Sequence, residues 1–152
     1  MIEVVYFSRS GNTRKVAEVI AGELGVTAKD VKTAGILPPD AFIFLGSGCY
    51  GAVLANGLVK FMEDNRFKGR KIALFTTSAF GSLSELALMK KQITNKGADI
   101  IDSFSCYGQL LLAKKGHPTQ KELDNARKYA RKVAGNLLPQ KSEKTKTASL
   151  AH

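Results

Sequence analysis

The first thirteen residues constrain the fold more than any other stretch. Ile2-Glu3-Val4-Val5-Tyr6-Phe7 is an apolar run of strand length, and it empties into Ser8-Arg9-Ser10-Gly11-Asn12-Thr13, a hydroxyl-rich turn with one glycine. Beyond it Val16, Ile20 and Leu24, with Ala17 and Ala21 beside them, recur at helical spacing until Gly25. A buried strand that opens through such a turn into a helix aims several backbone N–H groups at one point. Together with the positive end of the helix dipole, these groups make a site for a phosphate or another anion. Ser8, Ser10 and Thr13 add hydroxyl donors, Asn12 adds an amide, and Gly11 tolerates a positive φ and a close backbone approach.

The same alternation continues along the chain. Residues 26–33 read as a short, weakly apolar strand at or near a sheet edge, after which Gly35, Pro38 and Pro39 break the chain. Ala41-Phe42-Ile43-Phe44-Leu45 is continuously apolar, the mark of a strand buried on both faces. It leads into the loop Gly46-Ser47-Gly48-Cys49-Tyr50-Gly51 and then a helix over about 55–65, with Leu58, Phe61 and Met62 facing inward. Residues 72–77 form the next strand, ending in Thr77-Ser78-Ala79-Phe80-Gly81-Ser82. Ser82 and Glu85 have capping-box spacing, so a helix is expected from there to about Lys96, closed by Gly97. Residues 98–106 are a fifth strand. A last helix is capped by Thr119 and Glu122 and buries Leu123, Ala126, Ala130, Val133 and Leu137. Past Pro139 the composition turns polar and lysine-rich, so a single domain over 1–138 is expected to carry a disordered tail over 139–152.

Strands alternating with helices predict an α/β fold, a doubly wound five-stranded parallel sheet with helices on both faces. In strand order 2-1-3-4-5 the first, third and fourth strands are neighbours. Their three glycine- and serine-bearing loops then converge on the carboxyl edge of the sheet, where such folds bind ligands.

Bulk properties narrow the function. The chain has 152 residues, 44% of them hydrophobic, and no apolar run reaches membrane-spanning length. The start lacks the pattern of a signal peptide, and Cys49 and Cys106 are too few for a disulfide framework, which predicts reduced thiols in a cytoplasmic protein. The net charge is +10, of which the tail supplies +2 (Lys141, Lys144 and Lys146 against Glu143) and residues 1–138 the other +8. The basic residues are scattered, as solvated helix faces and loop rims would scatter them; the functional reading is attraction to an acidic partner or an anionic substrate. No basic stripe is interleaved with aromatic residues, which argues against nucleic acid.

No Walker motif is present. Gly46, Gly48 and Gly51 match G-x-G-x-x-G, but the match follows the third strand rather than the first, and the next strand ends in Thr76-Thr77 with no acid for a ribose. A dinucleotide site is therefore set aside. Ser8-Arg9-Ser10-Gly11-Asn12-Thr13 resembles the [S/T]-x-[S/T]-G-N-T phosphate loop of the flavodoxin family, which binds flavin mononucleotide (FMN), and the resemblance extends over about 1–138 as a short-chain member. It implies that Ser8, Ser10, Gly11, Asn12 and Thr13 hold the FMN phosphate, with Arg9 at the variable position pointing outward toward a partner. It further implies that Ser47, Gly48, Cys49, Tyr50 and Gly51 pass along one side of the flavin ring and Thr77, Ser78, Ala79, Phe80 and Gly81 along the other. Tyr50 and Phe80 are the stacking candidates, and Gly48 or Gly51 could present a carbonyl to flavin N5. No C-x-x-C pairing supports thiol chemistry at Cys49; Cys106 is read as packing and His117 as a surface loop residue.

The chain departs from the acidic electron carriers that it resembles. It is basic, and the segment 77–82 has no carboxylate. Negative charge on a reduced flavin is then less opposed, which predicts a less negative second one-electron couple. The resemblance leaves two functions, an electron-transfer flavodoxin docking on a redox partner protein, and an oxidoreductase of the quinone reductase or protoporphyrinogen dehydrogenase type. No clear general acid or base for a substrate stands out, which favours the carrier. A family member that has lost FMN is a third reading, against which the intact loop argues.

Overall fold

The computed structural model describes residues 1–48, 53–79, 83–108 and 116–137. Its elements run β1 (Ile2–Phe7), α1 (Asn12–Leu24), β2 (Ala28–Asp30), α2 (Val31–Ala34), β3 (Phe42–Gly48), α3 (Asn56–Asp64), β4 (Lys71–Ser78), α4 (Ser84–Asn95), β5 (Asp99–Tyr107) and α5 (Gln120–Leu137). The strands pair in parallel in the order β2-β1-β3-β4-β5. This is the architecture expected of strands that alternate with helices. The tail over 139–152 lies outside the described residues.

Period-2 alternation sends successive side chains to opposite faces of the sheet. Val5, Phe7, Ile43, Leu45, Ile72 and Leu74 pack under α3 and α4, against residues such as Leu58, Met62, Met89 and Ile93. Val4, Tyr6, Phe44, Ala73 and Phe75 pack on the other face, under α1 and α5. The central strands need apolar residues at every position because both faces are covered, which is why their runs are unbroken.

The structure corrects four expectations. The strand expected over 26–33 is confined to Ala28–Asp30, because the Asp30 carboxylate accepts the Lys32 N–H at 2.8 Å and caps a short helix that carries Val31 into the core. β3 does not end at Leu45. Gly46, Ser47 and Gly48 continue it, paired with Tyr6 and Phe7 on one side and with Phe75, Thr76 and Thr77 on the other. An ideal Cβ on Gly46 would sit 2.0 Å from the Phe75 ring, so this glycine makes room for a core aromatic and does not mark a turn. The residue flanking α4 is Leu83, not Ser82, and it makes no side-chain cap; Ser82 itself lies outside the described residues. Arg70, counted by sequence among the solvated basic residues, is only 5% exposed. Its Nε donates to the Arg66 carbonyl at 2.9 Å and its Nη1 to those of Pro38 (2.8 Å) and Ala41 (3.0 Å), which ties the connections before β3 and β4 together.

Candidate functional site at the carboxyl edge of the sheet

β1 delivers the chain into the turn at Ser8, and Gly11, at φ 90° and ψ −4°, swings it into α1. An L-residue is strained at that φ, so glycine is needed here. The N-cap, Gly11, has no side chain to cap α1, and the first turn of α1 holds no acid. The helix therefore presents its positive end to the turn, with no carboxylate in its own first turn to compensate it. The Gly11 N–H donates to Ser8 Oγ at 3.0 Å, and Asn12 Nδ2 donates to Ser10 Oγ at 2.9 Å. Each serine hydroxyl accepts in these contacts and keeps its own proton to donate. Thr13 is buried, and its Oγ1 lies 2.9 Å from Thr77 Oγ1, a bond that ties the turn to the end of β4.

Three strand ends meet here. Phe7 pairs with Ser47, and Gly48 with Thr77, so Ser8–Thr13, Ser47–Gly48 and Thr77–Ala79 share one edge of the sheet. Ser47 is buried, with its hydroxyl donating to the Gly48 carbonyl at 3.0 Å. Ser78 closes β4 and Ala79 follows it, both nearly buried. Arg9 is exposed at the turn. Cys49, Tyr50, Gly51, Phe80 and Gly81 lie outside the described residues.

Sequence reasoning missed the support of this edge from β5 and α5. The Gly108 N–H donates to the Ser78 carbonyl at 3.1 Å, and the Gly108 backbone packs against the Asn12 side chain. Just before it, the Tyr107 N–H donates to Glu122 Oε2 at 2.8 Å. Glu122 also completes the expected capping box: its N–H donates to Thr119 Oγ1 at 3.2 Å, and its Oε1 accepts from the Thr119 N–H at 3.3 Å. His117, in the loop before α5 and partly exposed, bonds the same carboxylate through Nδ1, and its ring stands edge-on to Tyr107, so this expected surface loop residue is tethered on two sides. Burial alone would raise the Glu122 pKa. The hydrogen bonds from His117, Thr119 and Tyr107 outweigh it and hold this carboxyl below the usual range.

The Cys106 thiol is pushed up to about 12, first by burial and then by the charge of Glu122, so it is inert near neutral pH, in line with the packing role expected. Tyr129, absent from the expected helix face, is buried in α5, and its hydroxyl donates to the Leu74 carbonyl at 2.7 Å. Glu85 is 2% exposed in the first turn of α4, and its Oε2 has no hydrogen-bond partner among the described residues. Among the described residues no group of acidic, histidine and cysteine side chains could hold a metal, and no helix is long and apolar enough to cross a membrane.

A doubly wound parallel sheet of order 2-1-3-4-5, with a glycine turn after its first strand, defines a flavodoxin-like α/β protein. Residues 3–123 match the family model described as the flavodoxin domain. The chain belongs to the flavodoxin family, whose members bind FMN and transfer electrons. It is 25% identical to a flavodoxin of Clostridium beijerinckii over 113 residues, which is 67% of this chain and 82% of that protein. Among solved structures it is similar to a flavodoxin from the domain Archaea, with TM-score 0.68 and 20% identity over 89% of this chain and 96% of that one. It is also similar to the two-electron reduced flavodoxin of Megasphaera elsdenii, with TM-score 0.61 and 23% identity over 84% of this chain and 98% of that one. The turn at residues 8–13 fits the FMN phosphate: hydroxyl, amide and N–H donors ring a helix start whose N-cap is glycine and whose first turn holds no acid.

Proposed function

We propose that this flavodoxin anchors FMN by its phosphate on the turn Ser8–Thr13 and carries electrons to an acidic redox partner. The observation that carries the reading is the start of α1, where the N-cap is Gly11, which has no side chain to cap the helix, and no acid stands in the first turn. Ser8, Ser10 and Asn12 would orient the phosphate with their side chains, and Gly11 and Thr13 with backbone N–H groups. The Thr13–Thr77 bond would hold this anchor rigidly against the end of β4, where Ser78 and Ala79 begin one wall of the ring site. The segments 47–51 and 77–81 would exclude water from the two faces of the ring, with Tyr50 and Phe80 as its stacking partners. When bound, FMN supplies the redox chemistry, in one- or two-electron steps. A cytoplasmic location accords with the thiol content of the chain.

The charge of +10 supports a partner of opposite sign. Lys90, Lys91 and Lys96, on and just after α4, are exposed and make no ion pair among the described residues. The test begins with the absorption spectrum of the purified protein and an FMN titration of the apoprotein. Flavin bands and stoichiometric binding are expected, and a colourless protein that ignores FMN would overturn the reading. Potentiometry is expected to give a less negative second one-electron couple than acidic flavodoxins have; a strongly negative one would refute the charge argument. Rapid turnover of NADH or NADPH with a quinone, in the absence of any partner protein, would rule out a pure carrier.

A further inference from the structure

The connection after β5 carries a residue whose lack of a side chain is explained by the phosphate turn and by nothing in its own backbone. Gly108 does not have the left-handed φ that marks Gly11, Gly25, Gly35, Gly69, Gly97 and Gly116. Its backbone would accept any residue. An ideal Cβ there would lie 2.9 Å from Asn12 Nδ2, 3.0 Å from Asn12 Cβ and 3.1 Å from Asn12 Cγ. Carbon atoms in ordinary contact keep about 3.5–4.0 Å, so this backbone lies flush against the asparagine. Asn12 in turn donates to Ser10 Oγ, and it is the first residue of α1.

Gly108 is itself held from two sides. Its N–H donates to the Ser78 carbonyl, and the preceding Tyr107 N–H donates to Glu122, which also binds His117 and Thr119 at the start of α5. We infer that Gly108 is a positioning residue of the phosphate site: a fixed backbone strut that presses Asn12 into the orientation in which it holds Ser10, and that must be glycine for the strut to lie this close. The inference rests on the reading of the turn as the FMN phosphate site. Any side chain at 108 displaces Asn12, breaks its bond to Ser10 and turns both donors away from the phosphate, while the sheet and helices stay as they are.

The experiment is a double-mutant cycle on the full chain with Gly108→Ala and Asn12→Gly, read by FMN titration of the apoproteins and by amide chemical shifts without ligand. Gly108→Ala is expected to weaken FMN at least tenfold, to displace the amide signals of Ser10 and Asn12 in the apoprotein, and to leave the melting temperature within a few degrees. Asn12→Gly removes the three atoms nearest the new methyl among the described residues. In that background Gly108→Ala is expected to change FMN affinity less than twofold. Equal losses in the two backgrounds, or unmoved Ser10 signals in Gly108→Ala, would overturn the inference. Failure of the wild-type protein to bind FMN would instead count against the proposed function, and the shifts of the apoprotein would still decide the role of Gly108. A Gly108→Ala chain that does not fold, with a folded double mutant, would support the contact, because the three atoms nearest the new methyl among the described residues all belong to Asn12.

Discussion

Substituting Gly46 by alanine separates a packing glycine from a ligand-binding one. Gly46 belongs to the G-x-G-x-x-G match, yet it sits inside β3 opposite Phe75, whose ring is fully buried among Val4, Phe44, Ala130 and their neighbours. The added Cβ would lie 2.0, 2.2 and 2.4 Å from three ring carbons. Restoring a contact of about 3.5 Å requires the ring to move by about 1.5 Å, in a core with no route to solvent. Overpacking of this kind costs about 1–3 kcal/mol, and an enclosed aromatic ring places Gly46→Ala at about 3 kcal/mol. At 2–4 °C per kcal/mol for a chain of this size, the apoprotein should melt about 6–12 °C lower. Urea unfolding should show a lower midpoint with an unchanged slope. In a Phe75→Leu background the same substitution should cost less than about 1 kcal/mol, because the obstructing ring edge is gone. A shift below about 2 °C, or the same cost in both backgrounds, would refute the packing argument. An unchanged melting temperature with lost FMN binding would return Gly46 to the ligand.

Arg70→Met should destabilise the fold by about 3 kcal/mol in urea unfolding, because three carbonyls at the amino edge lose a charged donor. Arg70→Lys should recover little of it, since an ammonium cannot reproduce the fork; full recovery would show that charge alone matters. For Glu122 the folded pKa lies below its unfolded value, so its contribution is complete above about pH 4.3 and is lost as pH falls through the folded value. Glu122→Gln should therefore flatten the acid limb of the stability profile between about pH 5 and 3, measured by urea unfolding at stepped pH. An acid limb parallel to wild type would show that the hydrogen bonds from His117, Thr119 and Tyr107 do not favour the ionised carboxyl.

What the sequence revealed and what it hid follow from the range of the forces involved. Unbroken apolar runs at Val4–Phe7 and Phe42–Leu45 disclose strands covered on both faces, because burial acts on each residue separately. The turn at Ser8–Thr13 was legible for a similar reason, since local backbone geometry dictates glycine and short donors. Gly46–Gly48 misled because glycine and serine usually mark turns, and the reason for this glycine, the Phe75 ring, is 29 residues away in sequence. Arg70, Tyr129 and Gly108 were invisible in their roles for the same reason: each meets a partner far away in sequence. The end of β2 failed on a smaller scale, where one aspartate cap outweighed weak strand propensity.

The two outer strands bear on how the molecule meets copies of itself. β2 is only three residues long and carries Lys29, paired with Glu3 at 2.9 Å. β5 is nine residues long and would make an inviting template for another chain, but its register slips between Ile72 and Ala73, which face Ile100 and Asp102 and leave Ile101 as an extra residue. Asp102 at that bulge is paired with Lys132 at 3.2 Å. A short rim on one side, and a kinked, charged rim on the other, spoil the straight row of amides that a neighbouring sheet would need. The sheet ends where it ends, and crowding the protein to high concentration should not stitch it into ribbons.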